Sequence, residues 1–187
     1  MRVHPDQFTA GSLFHAYNHS LDGRMLFYDD ADYRKYLQLL KKRLSQEFSV
    51  FAYCLMPNHY HFLVRQNGAE PIYSMFEQPH KSYARYYNLR YGAKGKILRD
   101  KMNHKSVLEN EYIVNLCAYI HANPMSAGLV GHVEEWQYSN LPEFLGTRHG
   151  TLCSREFIGN SVPDRDKYRM FVLETALAKN SAKLGKL

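Results

Sequence analysis

The chain has 187 residues, 45% of them hydrophobic and 22% charged, with a net charge of +6. That is ordinary for one soluble globular domain with a respectable core. No apolar run is long enough to span a bilayer, and the first residues, Met1-Arg2-Val3-His4-Pro5-Asp6, begin no signal-type apolar segment. The three cysteines include no Cys-x-x-Cys pair, which argues against a disulfide framework or a zinc finger and fits a reducing cytoplasm. The modest positive excess suits a polyanionic partner. The fifteen tyrosines suit either stacking on unpaired bases or an aromatic core.

Residues 12–19 alternate as a strand does, and Asp22-Gly23 makes a turn. Asp32 to Phe48 reads as a helix. Tyr33, Tyr36, Leu37, Leu40 and Leu44 form its apolar stripe, and Arg34, Lys35, Lys41, Lys42 and Arg43 its solvated face. An apolar run, Val50-Phe51-Ala52-Tyr53-Cys54-Leu55, leads into the turn residues Pro57-Asn58 and a second strand that begins at His59.

Ile72 to Tyr91 reads as mostly helical, with a break or kink expected at Pro79. Its second half, Lys81 to Tyr91, interleaves cations with aromatics. A basic loop follows, Lys94-Gly95-Lys96-Ile97-Leu98-Arg99-Asp100-Lys101, and then a short strand at 104–108. Glu109 to Asn123 carries apolar residues at helical spacing (Ile113, Leu116, Cys117, Ile120). Asn110 is its expected N-cap, and Pro124 its expected end. Residues 151–159 suggest a loop with a short helix. Residues 164–179 suggest a longer helix, and 180–187 a disordered end. The element order implies an α+β layer centred on an antiparallel hairpin. Cys54 and Cys117 read as small core residues.

Two stretches carry chemistry. In His59-Tyr60-His61-Phe62-Leu63-Val64, strand alternation puts His59, His61 and Leu63 on one face and the apolar Tyr60, Phe62 and Val64 on the other. The two imidazoles then lie roughly 6–7 Å apart at Cα, close enough for both to reach one metal ion. In Tyr119-Ile120-His121-Ala122-Asn123-Pro124, helical spacing puts the Tyr119 phenol and the Asn123 amide on one face, one turn apart. His121, two positions on from Tyr119, points away from that face and has no expected catalytic role.

Together, Pro57-Asn58-His59-Tyr60-His61 and Tyr119-Ile120-His121-Ala122-Asn123-Pro124 resemble the single-tyrosine HUH transposases, above all the REP-associated tyrosine transposases. Phe14-His15-Ala16-Tyr17-Asn18-His19, Tyr87-Asn88-Leu89-Arg90-Tyr91-Gly92 and Trp136-Gln137-Tyr138-Ser139 fit in the same order. The resemblance covers roughly residues 10–147, with a weaker echo to about 175.

It implies a ferredoxin-like fold with the histidine strand central. Residues 1–150 form the transposase domain, and 151–187 a C-terminal extension that is not a separate domain. The implied metal ligands are His59, His61 and Asn123, holding magnesium or manganese, with Tyr119 as nucleophile. The implied substrate is single-stranded DNA with an imperfect hairpin, contacted by Arg24, Lys81, Arg85, Arg90, Lys94, Lys96, Arg99, Lys101 and Lys105. A monomer in the bacterial cytoplasm, associated with the nucleoid, is expected over a dimer. Two other readings share these residues: a DNA-hairpin-binding protein that no longer cleaves, and a replication or relaxase-type nickase.

Overall fold

The residues of β1 (Leu13–His19), β2 (Phe48–Met56), β3 (His59–Gln66) and β4 (Asn103–Val107) alternate between two faces of one sheet. The strand order is β2-β3-β1-β4, and every neighbouring pair is antiparallel. The helices are α1 (Asp30–Lys41), α2 (Tyr73–Tyr91), α3 (Glu111–Ser126), α4 (Leu141–Phe144), α5 (Arg155–Ser161) and α6 (Arg165–Leu184). This is a ferredoxin-like α+β fold with the histidine strand inside the sheet. The computed structural model describes residues 8–44, 46–99, 102–107 and 111–184, with the backbone alone for 111, 112, 183 and 184. Asn110, the expected N-cap, lies outside the described residues.

Both faces of the sheet are covered. Tyr60, Phe62 and Val64 pack with Phe14 and Ala16 against the stripes of α1 (Tyr33, Tyr36, Leu40) and α2 (Met75, Phe76, Tyr83, Tyr87). Leu63, Ala52, Cys54 and Met56 pack on the other side against Leu116, Cys117 and Ile120 of α3 and Tyr168, Val172 and Ala176 of α6. The free edge of β2 is capped by a later segment. Leu55 N–H donates to Tyr138 O, Asn140 N–H to Tyr53 O, and Trp136 Nε1–H to Leu55 O. Covering an edge in this way removes a template for unwanted strand pairing. The three cysteines are buried free thiols.

Four local expectations need correction. α1 stops at Lys41, not Phe48, because Phe48 is required in the sheet, where it pairs with Gln66. The chain leaves the helix in a tight turn, with Arg43 N–H on Leu40 O and Leu44 N–H on Lys41 O. α2 runs through Pro79 unbroken: Pro79 forgoes one backbone donor, and the buried stripe on both sides of it holds the helix together.

α3 likewise continues through Pro124 to Ser126. Pro124 cannot donate to the Ile120 carbonyl, and the Asn123 Nδ2 group does so instead, at 3.1 Å. Beyond the helix the chain turns at Gly128, whose φ of 70° is the left-handed conformation that glycine adopts without cost. Finally, α6 continues as helix to Leu184, so residues 180–184 are ordered. Residues 185–187 lie outside the described set.

Candidate active site

The face of the sheet that meets α3 carries four histidines. The antiparallel register sets His19 opposite His59 and Tyr17 opposite His61. The His19 and His59 rings stack with centroids 4.9 Å apart, and the His59 and His61 rings stand edge to face at 5.1 Å. His15, one alternation further along β1, places Nε2 3.0 Å from His61 Nδ1. His59 Nδ1 lies 2.7 Å from Asn58 Oδ1 and therefore carries the proton of that hydrogen bond.

Each residue of the His59/His61 pair thus has Nδ1 tied to a neighbour, which leaves Nε2 to meet a ligand. A second-ring hydrogen bond of this kind is how metal-binding histidines are oriented. Burial, then the Lys105 and Lys179 ammonium groups, hold His15 down to about 4. Burial, then His19 and Lys179, do the same for His59, to about 4. Burial, then His15, His59, Lys179 and His19, push His61 well below the ordinary histidine value. All three rings are therefore neutral at pH 7, the form that binds metal.

Tyr119 projects from α3 over this cluster. It is 39% exposed, unlike the core tyrosines Tyr33, Tyr36, Tyr60 and Tyr83. Its ring stands edge-on to His15 and to His61, each with centroids 6.3 Å away. Asn123 sits one turn on. Its Nδ2 group donates to the Tyr119 and Ile120 carbonyls at 3.0 and 3.1 Å, which turns Oδ1 outward. That oxygen accepts from Lys179 Nζ of α6 at 2.8 Å. The same ammonium lies 3.7 Å from the centroid of the Tyr119 ring. Among the described residues no three His, Cys, Asp or Glu side chains group as a metal site.

His59, His61, Tyr119 and Asn123 are thereby brought to one side of the sheet. His15, His19 and Lys179 join them and were not singled out from the sequence. The alternation that paired His59 with His61 also pairs His15 with His19 on β1, so that signal was present. Lys179 had none, because it lies on a helix whose partner only the fold reveals. His121 is buried away from the cluster, with Nδ1 2.9 Å from the Tyr168 hydroxyl and Nε2 2.8 Å from Asn140 Oδ1.

The cations expected to contact DNA are scattered. Lys105, opposite His15 in the β1–β4 pair, acts electrostatically on that ring. Arg99 acts in the same way on His19. Lys81, Lys96 and Arg99 also line a cavity of about 750 Å³ with Phe76, His80 and Leu98, on the Tyr60 side of the sheet. Lys81 pairs with Glu77, and Arg24 with Asp22. Arg90 forks onto Asp29 and the fully buried Asp32 at 2.5 and 2.7 Å. Arg85 and Lys94 are exposed. Lys101 lies outside the described residues.

No family model and no curated protein sequence matches the chain. Among solved structures, a REP-associated tyrosine transposase bound to a REP hairpin is similar, with a TM-score of 0.64. The match covers 82% of this chain and 94% of that one at 16% identity. At that identity the likeness is one of fold, and it agrees with the family that the histidine and tyrosine motifs resemble. No helix among the described residues is long and apolar enough to cross a membrane.

Proposed function

We propose that this protein is a metal-dependent single-stranded DNA transposase of the HUH single-tyrosine type, akin to the REP-associated enzymes. In this reading it acts as a monomer, nicking and rejoining DNA beside an imperfect hairpin through a 5′-phosphotyrosine. One observation carries the reading: the exposed Tyr119 ring stands 6.3 Å from the ring of His61, across from a pair of oriented, neutral histidines.

His59 and His61 would hold a divalent ion, magnesium or manganese, through Nε2, with Asn123 Oδ1 as third donor. Imidazole accepts many transition metals, while the amide oxygen favours the harder ions. A bound divalent ion neutralises the scissile phosphate, whose negative charge otherwise repels a nucleophile. Tyr119 Oη attacks phosphorus. The Oη–P bond forms as the P–O3′ bond breaks, and the phenolic proton is balanced by the one the free 3′-hydroxyl gains. Because the tyrosine keeps the phosphate in ester linkage, a 3′-hydroxyl can attack it later and restore the strand without ATP.

The test is a labelled single strand carrying an imperfect hairpin, incubated with manganese. A covalent protein–DNA band that maps to Tyr119 supports the transposase. A mobility shift with no covalent band would leave a hairpin-binding protein instead.

A further inference from the structure

We infer that Lys179 is a further catalytic residue of this site and that its ammonium group binds the scissile phosphate beside Tyr119. The inference rests on the transposase reading for its reaction and on the geometry of α6 for its place. Lys179 lies beyond the stretch that carries the resemblance to the transposase family, so no motif assigns it.

Three observations support it. First, α6 is fixed against α3: Tyr168, Val172 and Ala176 are buried in the shared core, and the Ser126 hydroxyl donates to Ala176 O at 3.3 Å. Lys179 follows Ala176 by one turn and is half-buried. Second, Nζ touches both residues that a strand-cleaving site would use from α3. It lies 3.7 Å from the Tyr119 ring centroid and 2.8 Å from Asn123 Oδ1. Third, Lys105 stands directly opposite His15 in the β1–β4 pair, so a second ammonium group borders the same face of the sheet. A face that gathers positive charge around an exposed phenol attracts an anion.

Lysine suits that anion as a compact point charge on a flexible stem. During attack, charge builds on the non-bridging phosphate oxygens, and a cation already in position stabilises it without reorganising. Lys179 keeps its proton throughout and forms no covalent bond. Its contact with the Tyr119 ring face also keeps the phenol next to the phosphate it attacks.

The experiment compares wild type with Lys179→Met, which keeps the stem, and Lys179→Arg, which keeps the charge. Circular dichroism and thermal melting establish that each variant folds. With manganese, single-turnover adduct formation should fall about 100- to 1,000-fold in Lys179→Met, the usual effect of deleting one transition-state donor, and far less in Lys179→Arg. Binding is measured separately in EDTA, where no cleavage occurs. On a strand that runs past the hairpin and across the site, Lys179→Met should lower the log–log salt slope by about 0.7, the share of one phosphate on a single strand. On the bare hairpin the slope should not change.

The EDTA readout separates the two claims. A wild type that forms no adduct sinks the transposase reading, while the slope still decides Lys179. An equal slope and an equal rate in Lys179→Met overturn the inference. So does a faster adduct, which would make the lysine an internal competitor for the Asn123 oxygen. No binding of the crossing strand by wild type overturns both claims.

Discussion

His15 Nε2 lies 3.0 Å from His61 Nδ1, across the β1–β3 boundary. For His61 to offer Nε2 to a metal, its Nδ1 must carry the proton and donate it to His15. His15 therefore fixes both the tautomer and the ring orientation of its neighbour. Replacing it with Phe keeps a ring in that space and removes the acceptor. The expected result is a fall in manganese affinity of about 10- to 100-fold with the fold intact, the usual cost of losing such an orienting partner. His59→Ala combined with His61→Ala should abolish tight binding altogether. Titration calorimetry checks both, and unchanged affinity in the double variant would remove the histidine pair from the metal site.

Much of this site can be read from alternation, because a strand's period of two is a local property. The same rule that separates His59 and His61 from Tyr60 and Phe62 also aligns His15, Tyr17 and His19. It does not say that β1 pairs with β3, and only that pairing joins the two histidine sets. The prolines mislead for a related reason. Pro79 and Pro124 are helix breakers locally, yet α2 is held by its buried stripe and α3 by the Asn123 amide, which serves the carbonyl that Pro124 abandons. Arg90 of α2 reads as a DNA contact, because its acidic partners, Asp29 and Asp32, lie far away in sequence.

Acid should unfold the protein earlier than its carboxylates alone would require. His80 is held down to about 4 by burial, with Nε2 between the Tyr60 and Tyr36 hydroxyls at 2.8 and 3.1 Å. His121 is held to about 4 as well, chiefly by burial. Between pH 6.5 and about 4 the unfolded chain takes up protons that these folded-state rings refuse. Their stabilisation is complete above pH 6.5 and is lost as pH falls, at up to about 1.4 kcal/mol per pH unit for each ring. Urea midpoints measured from pH 7 to 4.5 should show this slope, and His80→Gln should flatten it. A flat profile in wild type contradicts the burial of neutral rings.

Lys105 and Arg90 should separate binding from folding. Lys105 is exposed on β4 beside His15 and serves no carboxylate among the pairs described. Lys105→Ala should leave the melting temperature unchanged and reduce the salt slope of single-strand binding by about 0.7. Arg90 instead neutralises Asp32, a buried carboxylate that also accepts from the Tyr86 and Tyr91 hydroxyls. Arg90→Ala should cost about 1–3 kcal/mol of stability, as expected when a buried acceptor loses its partner. An unaltered melt for Arg90→Ala with a reduced slope would turn this residue back into a DNA contact.

Tyr119→Phe is the sharpest test of the proposed chemistry. The phenol ring lies edge-on to His15 and His61 and beneath the Lys179 ammonium, and Phe preserves all of those ring contacts. Only the attacking oxygen is removed. Tyr119 is 39% exposed, and none of the hydrogen bonds described here uses its hydroxyl, so the substitution should cost little stability. The variant should bind hairpin DNA as wild type does and form no covalent adduct. Tyr112, whose side chain lies outside the described residues, is the rival nucleophile on the same helix. Peptide mapping of the DNA-linked tyrosine in wild type decides between them, and an adduct on Tyr112, or full cleavage by Tyr119→Phe, would falsify the assignment.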